Sequence, residues 1–153
     1  MKRVLFVCWG NICRSPLGEY ILKDMVEKRG LADEFYIESA ATSTEEIGNP
    51  VYPPARDELA KHGISWKGHH ARQVKSSDYD NFDLIIAMED IHKKIMMQRF
   101  FGGDPEGKIR LCMDLAGRPG EQVEDPWYTG RFEKVYAQIS EACEGILAEC
   151  LNN

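Results

Sequence analysis

The sequence predicts an α/β fold: a doubly wound domain with a four-stranded parallel sheet and helices on both faces. Three observations carry this. Short apolar runs alternate with longer segments of helical spacing along the chain. The first run, Val4-Leu-Phe-Val7, is apolar without alternation, as a strand covered on both faces requires. No repeat, low-complexity segment or linker interrupts the pattern, so residues 1–153 read as a single domain.

Taken in order, the expected strands lie near 3–8, 35–39, 83–88 and 108–112. Helices are expected near 16–29, 53–62, 89–100 and 130–151, with a short helical turn near 76–80. Ser15 suits an N-cap, and Pro16 suits the first helical position, where its missing N–H costs nothing. Leu17, Tyr20, Ile21, Asp24 and Met25 follow at helical steps, while Gly18 stands where a capping box would place Glu. The last helix has the clearest stripe: Phe132, Val135, Tyr136, Ile139, Cys143, Ile146, Leu147 and Cys150. Gly102-Gly-Asp-Pro105 and Gly117 to Gly120 read as turns.

Composition narrows the classes. The net charge of −6, with no basic cluster, argues against a nucleic-acid binder. No apolar run reaches the length of a membrane span, and the stretch after Lys2-Arg3 is too short for a signal peptide. A cytoplasmic protein with no membrane partner is expected. Five cysteines show no zinc-ligand spacing, so no metal is expected. Cys143 and Cys150 read as core residues of the last helix.

The chemistry concentrates in Cys8-Trp-Gly-Asn-Ile-Cys-Arg-Ser-Pro16. Cys8 ends the first strand, where ligands gather in open parallel sheets. Backbone N–H groups of residues 9–14, ahead of a helix N-terminus, would curl around an oxyanion. Gly10 and Asn11 suit positive φ angles in such a loop. A thiolate at Cys8 is stabilised by the helix dipole and by Arg14, and Arg14 offers a planar fork for two phosphoryl oxygens. Ser15 could donate its hydroxyl to the thiolate.

Spacing alone is weak support. With five Cys and nine Arg in the chain, roughly 0.3 such pairs arise by chance. Cys112-Met-Asp-Leu-Ala-Gly-Arg118 has the same spacing. Asp114 inside that loop and Pro119-Gly120 after it mark a strand end and a turn instead. Only the first match has strand, loop and helix in order. A second candidate is Asp125 in Glu124-Asp-Pro-Trp-Tyr128: beside stiff Pro126 and aromatic neighbours it could serve as a general acid, with Glu124 read as solvated.

Residues 8–16 resemble the signature of the low-molecular-weight protein tyrosine phosphatases. Glu38 to Thr42, Gly48 to Pro50, His62 to Ile64, His69-His-Ala-Arg-Gln73, Phe82 to Ile85, Met88 and Asp125 to Tyr128 resemble further landmarks of that family, in the same order. The resemblance implies a flavodoxin-like strand order. It also implies hydrolysis of phosphotyrosine and small aryl phosphates through a phosphocysteine on Cys8. Arg14 would bind the phosphoryl group and Asp125 would act as acid, then base. Trp9, Gly10, Asn11, Ile12, Cys13 and Ser15 would bind phosphate or shape the loop, supported by Ser39 and His69. Trp9, Glu45, Trp127 and Tyr128 would wall the pocket. No cofactor is implied. Cys13 would form a reversible disulfide with Cys8 on oxidation. Partners would be phosphotyrosine proteins or peptides, and a monomer with at most weak self-association is expected.

Departures concern specificity. Trp9 replaces an aliphatic residue common in the family, Thr44-Glu-Glu46 makes the rim acidic, and Tyr52-Pro-Pro54 replaces Asp-Pro-Arg. An arsenate reductase of the same fold is the alternative. It needs relay cysteines, and segment 82–100 has none. A decayed, noncatalytic binding module would be expected to have lost Cys8, Arg14 or Asp125, and all three remain.

Overall fold

Strand β1 (Lys2–Cys8) lies inside the sheet, paired in parallel with β2 (Phe35–Ala41) on one side and β3 (Leu84–Ala87) on the other. β4 (Ile109–Leu111) closes the order β2-β1-β3-β4. All pairs are parallel, as predicted. This computed structural model describes residues 1–151.

Alternation along β1 divides the core into two layers. Val4, Phe6 and Cys8 face α1 (Arg14–Lys28) and α7 (Phe132–Leu151), packing with Leu17, Ile21, Ile139 and Ile146. Leu5 and Val7 face the other way, against Tyr79 of α3 (Asp78–Asn81) and Met96. Met96–Phe101 is a π turn continuing α4 (Asp90–Ile95) and ending on left-handed Gly102, so the expected helix 89–100 changes type midway. α2 (Pro53–Lys61) packs on α7.

Two glycines set how closely layers approach. A Cβ on Gly18 would stand 2.4 Å from the Phe6 ring, so α1 can lie directly on β1. A Cβ on Gly145 would fall 1.8 Å from the Leu115 carbonyl oxygen, where α7 meets α5 (Cys112–Leu115). Backbone cannot yield there as a flexible side chain can. Gly145→Ala is therefore expected to destabilise the protein by about 1–3 kcal/mol, as overpacking does. Urea unfolding against wild type measures it.

Some boundaries differ from the sequence reading. α1 begins at Arg14, with Cys13 as its cap and no side-chain cap bond, so Ser15 is helical rather than an N-cap. Its hydroxyl is committed to Cys8 instead. Cys112 lies in the short helix α5, not in a strand, because β4 ends at Leu111. α6 (Pro126–Thr129) appears in a stretch where no helix or strand was expected. Cys143 is buried, whereas Cys150 is only partly so.

Candidate active site

The loop from Cys8 to Arg14 hangs from the carboxyl end of β1, beside the point where the chain turns to β2 on one side and β3 on the other. Cys8 Sγ sits at its centre. Asn11 N–H and Ser15 N–H point to it at 3.3 and 3.4 Å, and Ser15 Oγ lies at 3.0 Å. Backbone N–H groups of Gly10, Ile12, Cys13 and Arg14 have no protein acceptor among the described residues. Those four residues line a cavity of about 170 Å³ together with Cys8. A concave set of unclaimed donors is suited to an oxyanion.

Asn11 holds the loop in shape. It is fully buried, with φ of 60°, a left-handed value that Asn tolerates better than most residues. Gly10 was expected to share that role but has no positive φ. Asn11 Nδ2 donates to Ser15 Oγ at 2.8 Å and to Ser39 Oγ at 2.9 Å, while its Oδ1 accepts from Arg72 N–H at 3.1 Å. Because Ser15 Oγ accepts from Asn11, its own proton is available for Cys8 at 3.0 Å, with the Ala40 carbonyl a longer alternative at 3.4 Å.

His69 completes the support. Its Nε2 lies 2.8 Å from the Asn11 carbonyl and must carry the proton to make that bond. Burial lowers the His69 pKa, which favours the neutral ring. His70 is exposed and reaches only Gly48 O. Ser39 Oγ donates to Glu19 Oε1 at 2.5 Å, and the same carboxylate oxygen faces His69 Nδ1 at 3.9 Å. Glu19 was not singled out from the sequence. Its place four residues after Ser15, on the same helix face, was the available signal.

Arg14 is 3% exposed and fixed from behind. Its Nη1 donates to Glu89 Oε2 at 2.6 Å and to the Val123 carbonyl at 2.9 Å. Its Nη2 lies 3.5 Å from Asp125 Oδ2. Glu89 was also missed, since nothing local in the sequence marks a carboxylate that meets an arginine 75 residues away. His92 sits behind it, 1% exposed, with Nε2 3.8 Å from the same Glu89 oxygen. Burial, reinforced by the Arg14 charge, lowers its pKa to about 3.

That shift has a definite sign. Below pH 6.5 an unfolded His92 takes up a proton that the folded ring refuses until about 3. Its stabilising effect is complete above the unfolded value and declines as pH falls, by up to about 1.4 kcal/mol per pH unit. His92→Gln is expected to lose less stability than wild type between about pH 7.5 and about pH 5. Urea unfolding at both values tests this, and equal losses would contradict it.

Asp125 comes to the same mouth from α6, which it caps: Oδ1 accepts from Trp127 N–H at 3.0 Å. Trp127 and Tyr128 beside it in sequence predict an apolar aromatic setting. The structure instead leaves the carboxyl about one-third exposed, between Arg14 and a backbone N–H. Glu124 is not simply solvated: it bridges Lys134 at 2.8 Å and Arg131 at 2.7 Å. Lys134 and Thr129 contribute most to holding its pKa near 2, so it makes a poor proton donor.

Trp9, Glu45, Glu46, Trp127 and Tyr128 all border the cavity. Trp127 packs on Tyr52 with ring centroids 4.6 Å apart, and Tyr52 in turn stacks on Phe132. Tyr52, noted only as a departure, therefore buttresses one wall. Tyr128 is 84% exposed and forms rim rather than wall.

Among the described residues no group of His, Cys, Asp and Glu is arranged to hold a metal. No helix among them is long and apolar enough to cross a membrane.

A cysteine ringed by unclaimed backbone donors, an arginine and a carboxyl at the carboxyl edge of a parallel sheet is an arrangement suited to cysteine-dependent phosphatase chemistry. Comparison with known proteins narrows the class. The family profile described as low molecular weight phosphotyrosine protein phosphatase matches residues 3–153. The low molecular weight protein-tyrosine-phosphatase YfkJ of Bacillus subtilis is 40% identical over 97% of this chain and 95% of its own. Its crystal structure superposes with a TM-score of 0.95 at 38% identity, covering 99% and 96% of the two chains. The rat low molecular weight phosphotyrosine protein phosphatase is 36% identical over 95% of this chain and 94% of its own. A Drosophila arginine phosphatase shares the fold with a TM-score of 0.81 and 34% identity, each chain covered to 97%. The chain belongs to the low molecular weight phosphotyrosine protein phosphatase family, and its enzyme class is protein-tyrosine phosphatase.

Proposed function

We propose that the protein hydrolyses phosphotyrosine in proteins or peptides, and small aryl phosphates, through a phosphocysteine on Cys8. The observation that carries this is the placement of Cys8, Arg14 and Asp125 around one cavity. Cys8 Sγ attacks phosphorus in line while the P–O bond to the phenol breaks. Loop N–H groups and Arg14 take the equatorial oxygens, so the reaction calls for no metal. Asp125 then gives its proton to the departing phenolate. In the second step Asp125 takes a proton from water, water attacks phosphorus, and Cys8 leaves as thiolate with Ser15 donating to it.

Aromatic side chains around the mouth favour a phenyl ring over a short alkyl chain. Transfer of electrons to arsenate would need accessible relay thiols. Cys112 and Cys143 are fully buried, and burial raises their thiol pKa values, that of Cys112 to about 12. Cytoplasmic residence and a monomeric state fit this reading. Activity is tested with a phosphotyrosine peptide, a phosphoserine peptide, a phosphoarginine peptide and arsenate, with and without chelator. Hydrolysis of phosphotyrosine foremost, unchanged by chelator, is expected. Preference for phosphoarginine, or arsenate reduction, would overturn the reading.

The same loop provides a redox response. Peroxide oxidises the Cys8 thiolate to a sulfenic acid. Cys13 condenses with it, releasing water and forming the disulfide. Burial raises the Cys13 pKa strongly, and Cys8 adds to this, so Cys13 is not the first target of oxidant. After mild peroxide, mass spectrometry is expected to find a Cys8–Cys13 disulfide that thiol reverses. Irreversible oxidation of Cys8 alone would contradict it.

A further inference from the structure

The mouth of the cavity carries the wrong charge for a phosphate. Among the residues lining it, Arg14 is the single cation, buried and already paired with Glu89 and Asp125. Glu45, Glu46 and Asp125 line it as well. Glu45 Oε2 accepts the Trp9 indole N–H at 3.0 Å, and Glu46 Oε2 accepts from Asn49 Nδ2 at 2.6 Å. Both donors are neutral. Among the described residues neither carboxylate has a cationic partner within ion-pair distance.

These two charges are also fixed in place. Ser43 N–H and Ser43 Oγ both bond the Trp9 carbonyl, at 3.0 and 2.8 Å, and Thr42 N–H bonds the Cys8 carbonyl at 2.9 Å. The segment bearing Glu45 and Glu46 is thereby tied to the phosphate loop. Glu46 lies over Gly10, its Cγ 3.4 Å from where a Cβ would stand. Neither carboxylate is held by a neighbour that would offset its charge.

We propose that Glu45 and Glu46 are specificity-determining residues that select phosphotyrosines flanked by lysine or arginine. The inference rests on the phosphotyrosine reading above. A dianion approaching alone meets like charge at the mouth, whereas a basic neighbour in the same peptide supplies the missing counter-charge. Trp9, held by its bond to Glu45, positions one wall, while Glu46, bonded to the neutral Asn49 amide, keeps its charge for the flanking residue.

The test compares kcat/KM for two phosphotyrosine peptides, one flanked by lysines and one by glutamates, and for phenyl phosphate, using wild type and Glu46→Gln. Wild type is expected to favour the lysine peptide by roughly fivefold or more at low salt, with the ratio shrinking as salt rises. Glu46→Gln is expected to shift the two peptides in opposite directions, slower on the lysine peptide and faster on the glutamate one. A merely structural role for Glu46 would slow both alike, and that result overturns the proposal. Equal rates, or preference for glutamate, overturn it while hydrolysis of phenyl phosphate upholds the underlying reading. Failure to hydrolyse phenyl phosphate and both peptides removes the reading and the proposal together.

Discussion

Cys8→Ser is expected to lower aryl phosphate turnover by at least about 10⁴-fold, as removal of a catalytic nucleophile does. The substitution exchanges one atom in a buried position, and serine can still accept the Asn11 and Ser15 N–H groups that point to Sγ. The loop and its cavity should therefore persist, and phosphate binding with them. Serine remains a protonated hydroxyl at neutral pH, and its side-chain hydrogen-bond neighbour among the described residues, Ser15 Oγ at 3.0 Å, is no base to activate it. Steady-state kinetics with phenyl phosphate, together with phosphate binding by calorimetry, separates lost chemistry from lost structure. Full activity in Cys8→Ser would remove Cys8 as nucleophile.

Asp125→Ala is expected to cost about 10²- to 10⁴-fold in kcat, most for poor leaving groups. Phenolate leaves badly without a proton, so the rate with phenyl phosphate should fall far more than that with an activated aryl ester. Asp125 also caps α6 through Trp127 N–H, and alanine removes that bond along with the acid. Asp125→Asn keeps an acceptor for the N–H but has no proton to give. Equal deficits in the two variants, each dependent on the leaving group, assign the loss to proton transfer. A deficit in alanine alone, or one independent of the leaving group, would make Asp125 a cap rather than an acid.

How far the sequence revealed this molecule depended on the range of the interactions. Strand β1 was legible because an apolar run covered on both faces is a local signal, and α7 because its stripe keeps helical period over twenty residues. The expected start of α1 was two residues late. Ser15 has the chemistry of an N-cap, but its hydroxyl is recruited by Cys8, a contact between strand end and helix that propensity does not register. The short α5 and α6 were missed for a related reason. α5 packs against α7 where Gly145 lets the Leu115 backbone approach, and α6 is fixed by its Asp125 cap and by Trp127 on Tyr52.

The site divides along the same line. Cys8, Asn11, Arg14 and Ser15 share one loop and helix start, so their chemistry could be read from spacing and order. Glu89, His92 and Glu19 form the layer behind them; nothing local marks Glu89 or His92, and Glu19 shows only its spacing from Ser15. Each is defined by a partner elsewhere in the chain: Glu89 by Arg14, His92 by Glu89, Glu19 by Ser39 and His69. The setting of Asp125 was misjudged because Trp127 and Tyr128 suggested an apolar environment. In the fold Trp127 turns to Tyr52 and Tyr128 to solvent, leaving the Asp125 carboxyl 3.5 Å from Arg14.

The proposed mechanism requires a covalent bond between phosphorus and Cys8 Sγ. The most direct measurement mixes Asp125→Asn, which should break the intermediate down slowly, with an activated aryl phosphate. The reaction is quenched in acid, and the phosphorylated residue is located by mass spectrometry. One phosphoryl group is expected on Cys8, formed with a burst of phenol and lost as inorganic phosphate appears. Phenol release with no burst and no phosphocysteine, or a phosphoryl group on any other side chain, would contradict it.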